Sequence, residues 1–399
     1  MNFALTPEQK ILQDRCLALA AAFVPRSAEH DRDASHPTEN YNRLRREGFL
    51  HLCVPRAFGG DGVDFLGHTI AYEALGRGCP STALAFNMHA SVVMPLLESD
   101  EVSPETKKQI SELVVRHGKM IGGNFSEPGH TSLIGERPLS VRARAVPGGY
   151  RINGKKLFAS MLEAADFVMV LAYPDESASA SAGMLLLIPP HAEGRKINAN
   201  WDTLGMRATR SDQLILEECF VPDSAMLYRS DDIRPFRNAH ANWFWASYTA
   251  VYLGLAGAAY DALREVVAQR EPAGYSQSLA WHPDVRRHVA ELSTDLEASR
   301  LIVYHSAWLR DLEGPSANAT AAMFRAKYLV GEAVTRITRV ALTLGGAHGI
   351  FKGSRVEQLF RDGALAPIQP PSADFCLWSL GFHELGLSPH EALPPMRPL

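Results

Sequence analysis

Apolar positions recur with two different periods along the chain, and the change between them divides it into three parts. Near the N-terminus, Leu12, Cys16, Leu19 and Phe23 fall at helical spacing. Thr6 can cap that helix, with Pro7 at its first position and Gln9 as the reciprocal partner of a capping box. A second helix is predicted over 39–47, before the punctuated stretch VPRAFGGDGVDF, and helical pattern continues over 70–75, 82–97 and 104–117. Residues 1–120 therefore predict an all-helical domain. After Met120 the period shortens. Short apolar runs at 141–146, 167–172, 184–188 and 214–216 alternate with Gly, Pro, Asn and Asp. Pro147-Gly148-Gly149 and Asn153-Gly154 predict turns. Residues 121–235 thus predict a β domain, and the lack of long crossover helices argues against a parallel Rossmann sheet. From Ala239 the pattern is helical again over 243–270, 282–312 and 317–343, lengths that suit a four-helix bundle across 236–399. Pro389, Pro394, Pro395 and Pro398 predict a tail with little regular structure.

Composition narrows the partners rather than the fold. The 399 residues are 46% hydrophobic and 21% charged, ordinary for a globular enzyme with large cores. A net charge of -4, with a pI near 6.4, gives no reason to expect nucleic acid or an anionic membrane surface as partner. Cys16, Cys53, Cys79, Cys219 and Cys376 are odd in number and far apart. They offer neither metal-ligand spacing nor a disulfide framework, and point to a reducing cytoplasm. The N-terminal stretch MNFALTPEQKILQDRCLALAAAFVP lacks a basic region followed by a clean apolar core, and no uncharged apolar run of about 20 residues predicts a membrane span.

Five stretches carry a likeness. They are PRAFGGDGVDF (55–65) with AYEALGR after it, FSEPGHTS (125–132), GGYRINGKKLFASMLEAAD (148–166), WDTLGMRATRSDQLILEECFVP (201–222) and LTLGGAHGIFKGSRVEQLFRD (342–362). In this order, across three segments of these sizes, the sequence resembles the acyl-CoA dehydrogenase family. The resemblance implies an α+β fold with an N-terminal helical domain, a middle β-barrel-like domain and a C-terminal four-helix bundle. It also implies FAD as cofactor and an acyl thioester, on CoA or an acyl-carrier protein, as substrate. The electron acceptor would be a flavoprotein or oxygen, and the assembly a homodimer or homotetramer whose subunits complete each other's FAD sites.

The same resemblance suggests roles for single residues. Ser126 is similar to the hydroxyl residue on the pyrimidine side of the flavin, Ser160 to the hydroxyl beside N5, and Phe158 to the aromatic packed on the ring. Hydroxyls suit the flavin's polar edge and apolar side chains its faces; read alone, the two serines could simply bond within their own loops. Arg270 resembles the arginine that reaches the FAD diphosphate of a neighbouring subunit, a task a guanidinium fork fits. The usual Phe-Gly that follows is here Ala273-Gly274. Gly345 and Gly346 match the loop that cradles the diphosphate, with Leu342 where a glutamine is common. Ser132 matches a serine that contacts cofactor or thioester, although Thr131-Ser132-Leu133 replaces Gly-Ser-Asp. Arg207 reads equally as structural or diphosphate-proximal. Glu357, Arg361 and Asp362 read as an ion-pair network between helices.

One expected group is missing. The family's usual catalytic glutamate would fall at Pro370, and its alternative location at Phe244, so neither position supplies a base. Such a base is worth about 10² to 10⁴ in rate. His89, in FNMHASVVMP, is the first substitute candidate, alongside Ser160 as a catalytic hydroxyl; His130 is the second, since either imidazole titrates near neutral pH. His89 and Ser160 also resemble two positions of flavin-dependent monooxygenases that share this fold. Those enzymes have a second histidine in H-x-P, where this chain has Gln369-Pro370-Pro371. Three readings result: an acyl-thioester oxidoreductase, a two-component monooxygenase using reduced flavin and oxygen, and a flavin-binding partner protein with little activity. Trp243, Phe244 and Trp245 offer either an aromatic wall near the site or helix packing.

Overall fold

A computed structural model describes residues 4–128 and 139–387. The predicted capping box is present. The Thr6 N–H donates to Gln9 Oε1 at 3.0 Å and the Gln9 N–H to Thr6 Oγ at 3.2 Å, opening helix α1 (Pro7–Asp33). The chain forms two compact units, one from the described parts of 1–28, 65–80 and 245–399, the other from 29–64 and 81–244.

The first unit is helical. It holds α3 (Phe65–Gly76), most of α6 (Arg234–Gln269), α7 (Pro283–Glu313), α8 (Ala317–Gly349), α9 (Arg355–Gly363) and α10 (Ala373–Leu385). The long α6, α7 and α8 carry the predicted C-terminal bundle, in which α8 packs against α7, α9 and α10. Ser316 and Ser372 cap α8 and α10, their side chains accepting from the Ala319 and Phe375 N–H groups. The Glu73 carboxylate of α3, buried, is held by Arg300 Nε at 2.9 Å and the Tyr304 hydroxyl at 2.6 Å, both from α7.

The second unit contains α2 (Thr38–Arg46), nearly all of α4 (Pro80–Glu98), α5 (Pro104–Ser111) and, among the described residues, eight strands. These are β1 (Ile121–Asn124), β2 (Arg142–Val146), β3 (Gly149–Ala159), β4 (Phe167–Pro174), β5 (Gly183–Ile188), β6 (Arg195–Asn198), β7 (Asp212–Pro222) and β8 (Met226–Ser230). Strands run in the order β6-β7-β3-β2-β4-β5-β8, with β1 pairing β4 in parallel. One core cluster gathers Val141, Ile152, Val170, Leu186, Leu216 and Val221 from four strands and the bend before β2. Each such side chain contributes roughly 1.5–3 kcal/mol on burial.

Two expectations are corrected here. The sheet is open, not barrel-like: closure requires the terminal strands to pair, whereas among the described residues β6 bonds only to β7 and β8 only to β5. The alternating, partly exposed Arg195-Lys196-Ile197-Asn198 of β6 has the polar character of a strand left at an edge. Asn153-Gly154 makes no turn but lies within β3, at a register shift between Ile152 and Gly154. Gly154 sits at φ +138°, where an added Cβ would stand 2.9 Å from Val141 Cα, so glycine is needed for the bulge. The other turn, Pro147-Gly148, joins β2 to β3 as predicted.

All five cysteines are free and buried. Among the described residues no His/Cys/Asp/Glu group could hold a metal, and no helix is long and apolar enough to cross a membrane.

Candidate functional site

Three consecutive residues after β1 are tied down by two consecutive residues of β3. Lys156 Nζ donates to the Phe125 carbonyl at 3.5 Å and to Glu127 Oε1 at 2.5 Å, while the Leu157 N–H donates to the Ser126 carbonyl at 2.9 Å. The Glu127–Lys156 pair has no solvent exposure on either side chain. Glu127 Oε2 also accepts from the Ser140 N–H, the Ser140 hydroxyl at 2.6 Å and the Val141 N–H at 3.3 Å. Burial works to raise the Glu127 pKa, but the Lys156 ammonium and the serine bonds outweigh it and hold the carboxyl below its ordinary value. Burial pushes Lys156 down to about 8 against the opposing pull of Glu127. The half-buried Ser126 is thereby fixed beside the end of β3. His130 and Ser132 lie outside the described residues.

The end of β3 is strained. Phe158 and Met161 have φ of 54° and 62°, and across the site Met206 and Arg210 have 53° and 44°. Left-handed backbone at non-glycine residues is costly and gathers at functional sites. The Phe158 ring stays 54% exposed, its edge against Trp201 at 6.3 Å between centroids. Ser160, 2% exposed, meets Ser211 Oγ at 2.7 Å; Ser211 meets Thr209 Oγ1 at 2.9 Å, and Thr209 donates to the Met206 carbonyl at 2.9 Å. Each hydroxyl has one hydrogen, so the chain runs one way and leaves Ser160 Oγ with accepting lone pairs. An exposed aromatic face beside a buried hydroxyl, next to the Ser126 edge, fits a flavin. Sequence reasoning singled out Phe158 and Ser160 but missed Thr209 and Ser211, which stand in the quoted MRATRS run.

His89 is buried with both ring nitrogens engaged. Nε2 lies 2.9 Å from the Leu50 carbonyl, and Nδ1 accepts from the Ile121 N–H at 3.0 Å. Burial lowers its pKa to about 4, more than these backbone bonds offset. The ring stitches a loop to β1 and has no lone pair to spare. His240, on α6, was not singled out from the sequence. It is 4% exposed, its Nδ1 lies 2.7 Å from the Ser91 carbonyl, and its ring stands 4.4 Å from Phe125 and 5.7 Å from Phe244. Nearby, the fully buried amides of Asn87 and Asn124 leave Asn87 Oδ1 and both polar atoms of Asn124 without partners. Asn87 Nδ2 reaches the Phe244 carbonyl at 3.4 Å. Trp243 is buried, its Nε1 donating to Glu98 at 3.1 Å.

In the helical unit, Arg270 Nη1 donates to the Leu344 carbonyl at 3.0 Å. Gly346, at φ 62° and ψ -157°, breaks the helical path of α8, and a Cβ there would stand 2.4 Å from Arg270 Nη1. Arg270, Gly345 and Gly346 are therefore brought together, in a cradle that any side chain at 346 would fill. Pro370 follows Gln369, whose Oε1 accepts from the Tyr252 hydroxyl at 2.7 Å. Trp245 packs on Phe324 and Phe375, which favours helix packing for that ring. Glu357 and Arg361 pair within α9. Arg207 spends its donors locally, on the Asp31 carbonyl at 2.9 Å and on Asp202 at 2.7 Å. A groove of about 790 Å³ between α6 and α7, lined by Tyr260, Arg264, Val285 and Val289 among others, holds none of these residues.

Three family models match the chain in order: the N-terminal domain of acyl-CoA dehydrogenase at residues 6–111, the middle domain at 124–219 and the C-terminal domain at 242–369. The short-chain specific acyl-CoA dehydrogenase of Clostridium acetobutylicum is 27% identical over 376 residues, covering 92% of this chain and 95% of that protein. Among solved structures, a glutaryl-coenzyme A dehydrogenase in complex with glutaryl-CoA superposes with a TM-score of 0.87 at 24% identity, over 97% of this chain and 98% of that one. FMN-bound TdsC from Paenibacillus sp. A11-2 superposes with a TM-score of 0.84 at 21% identity, over 94% and 97% respectively. At these identities the two superpositions speak to the fold.

Proposed function

The chain belongs to the acyl-CoA dehydrogenase family, as an FAD-dependent oxidoreductase acting on an acyl-thioester-type substrate, and from that premise we propose its reaction and the residues that serve it. The reaction is α,β-oxidation of an acyl group carried on CoA or a carrier protein. When bound, FAD supplies the hydride-accepting N5 atom and hands electrons on to a flavoprotein or to oxygen. The chain's own part is to hold that cofactor and to manage a proton. Ser126 binds the polar edge, Phe158 covers a face, and Ser160 offers accepting lone pairs at the end of its hydroxyl chain. Arg270, with the Gly345-Gly346 cradle, takes the diphosphate through a bidentate-capable fork, and Ser132 contacts cofactor or thioester. We assign 1–120, 121–235 and 236–399 as the functional domains, in a cytoplasmic homodimer or homotetramer.

The observation that carries this reading is the clamp of Lys156 and Leu157 on Phe125-Ser126-Glu127. It supports one continuous polar-and-aromatic wall from residues distant in sequence. A second reading, oxygen activation on reduced flavin, is favoured by one fact: neither Pro370 nor Phe244 can act as a base.

Anaerobic visible spectroscopy of the FAD-loaded protein against a panel of acyl-CoAs tests the choice. Bleaching by a thioester is the expected result. A flavin that no thioester bleaches, yet that dithionite reduces and air reoxidises slowly, would replace it with the oxygenase reading.

A further inference from the structure

The corner formed by α4, β1 and the first turns of α6 contains unpartnered buried polar groups that the cofactor-holding residues leave unused. Its origin is a proline. In α4 the Ser91 carbonyl should accept from the N–H four residues on, but that residue is Pro95, which has none. His240 Nδ1 takes the vacant carbonyl at 2.7 Å. A carbonyl can only accept, so the proton sits on Nδ1 and the lone pair on Nε2. No partner for Nε2 is found among the described residues. His89 differs decisively, because both of its nitrogens are spent on backbone.

The surroundings favour a neutral imidazole. Phe125 and Phe244 provide apolar walls, and Phe125 is in turn 6.2 Å from Phe236. Arg237, one turn earlier on α6, is the charged group whose field acts on the ring, and Ser91 contributes only its carbonyl. Burial, then the Arg237 charge, lowers the pKa to about 4, the Ser91 bond opposing them, so Nε2 is unprotonated at neutral pH. Phe125 immediately precedes Ser126, so this ring borders the segment assigned to the flavin edge. Asn87, on α4, brings a fully buried amide whose nitrogen reaches the Phe244 carbonyl at 3.4 Å and whose oxygen lacks a partner. Orphaned buried amides are costly, by about 1–3 kcal/mol per group, and persist where something else satisfies them.

We propose that His240 is the proton-accepting group of this chain, taking an α-proton of the acyl thioester on Nε2. The proposal rests on the thioester reading above. In the step, the α-C–H bond breaks and an N–H bond forms at Nε2. The electron pair moves into the bond between the α-carbon and the carbonyl carbon as the carbonyl π pair moves onto oxygen, giving the enolate. The imidazolium keeps its Nδ1–H bond to Ser91 throughout.

The test separates proton removal from oxidation. FAD-loaded protein in D₂O, without oxygen, is given acetyl-CoA, which has no β-carbon and cannot lose hydride, and in parallel butyryl-CoA; deuterium at the α-carbon is read by mass spectrometry. His240→Asn keeps a donor for the Ser91 carbonyl and removes the Nε2 lone pair. The expected result is exchange in the wild type and at least a tenfold lower rate in His240→Asn, with FAD absorbance and melting temperature retained. Histidine ¹⁵N spectra of the wild type should show the Nδ1–H tautomer at His240 and a shift of Nε2 on adding butyryl-CoA. Equal exchange in His240→Asn, an Nε2–H tautomer, or an unmoved Nε2 would each overturn the assignment, the last two even if the variant folds poorly. A wild type that bleaches with a thioester but exchanges nothing overturns His240 alone. One that neither bleaches nor exchanges overturns the thioester reading too.

Discussion

Glu127 and Lys156 carry the heaviest obligation of any single residues in the site, because neither side chain touches water. A buried pair contributes little net stability compared with apolar side chains of the same size, whereas removing one partner strands the other charge at about 3–5 kcal/mol. Glu127→Gln should therefore destabilise the protein by roughly that amount, and should also loosen FAD, since Ser126 is held through the same clamp. Glu127→Leu with Lys156→Met should recover much of the stability, but not flavin retention, because Ser140 and the Phe125 carbonyl lose their contacts. Urea unfolding and absorbance after gel filtration measure the two effects; a double variant that holds FAD normally would detach the pair from cofactor binding. The sequence displayed both residues inside motifs. It could not display their pairing, which joins positions 29 apart across two elements.

At the scale of elements, α4 shows what periodicity can and cannot tell. The helix was legible over 82–97, and Pro95 sits plainly inside it. The meaning of that proline depends on α6 lying alongside, a tertiary fact with no local signature. For the same reason His89 stood out, as a histidine in the right helix, while the bonds that occupy its ring come from Leu50 and Ile121. Asn153-Gly154 misled in the opposite direction: a strong turn dipeptide was absorbed into β3 as a bulge, because Val141 approaches too closely for a side chain. Pro95→Ala offers a direct check on the helix device. It restores an N–H opposite the Ser91 carbonyl, which then competes with His240 Nδ1. The variant should fold at least as well, proline being costly in a helix interior, and its ¹⁵N spectrum should gain an Nε2–H population at His240. A spectrum identical to wild type would mean that the carbonyl serves both donors.

For the whole molecule, the order helical, β, helical was readable because period and turn chemistry are local, whereas the open edge was not, because closure turns on whether β6 and β8 meet. Stability against acid is likewise a property of the ensemble of buried groups. Burial is the main cause that lowers His36, His89 and His240 to about 4 and His68 to about 3, against an ordinary value near 6.5. The folded state therefore binds fewer protons than the unfolded chain between those values. With folded pKa depressed, the stability is fully present above about pH 6.5 and is lost as pH falls toward 4, at about 1.4 kcal/mol per pH unit for each histidine. The buried Glu127, whose pKa is also lowered, adds a loss that sets in as pH drops through the carboxylate range. By pH 5 the four imidazoles together should have removed several kcal/mol, a large part of the roughly 5–15 kcal/mol that folded proteins possess. Urea midpoints should fall most steeply between pH 6.5 and 5. A midpoint unchanged down to pH 5 would require these imidazoles to accept protons in place, and His240 would then be too exposed and too basic for the neutral role assigned to it.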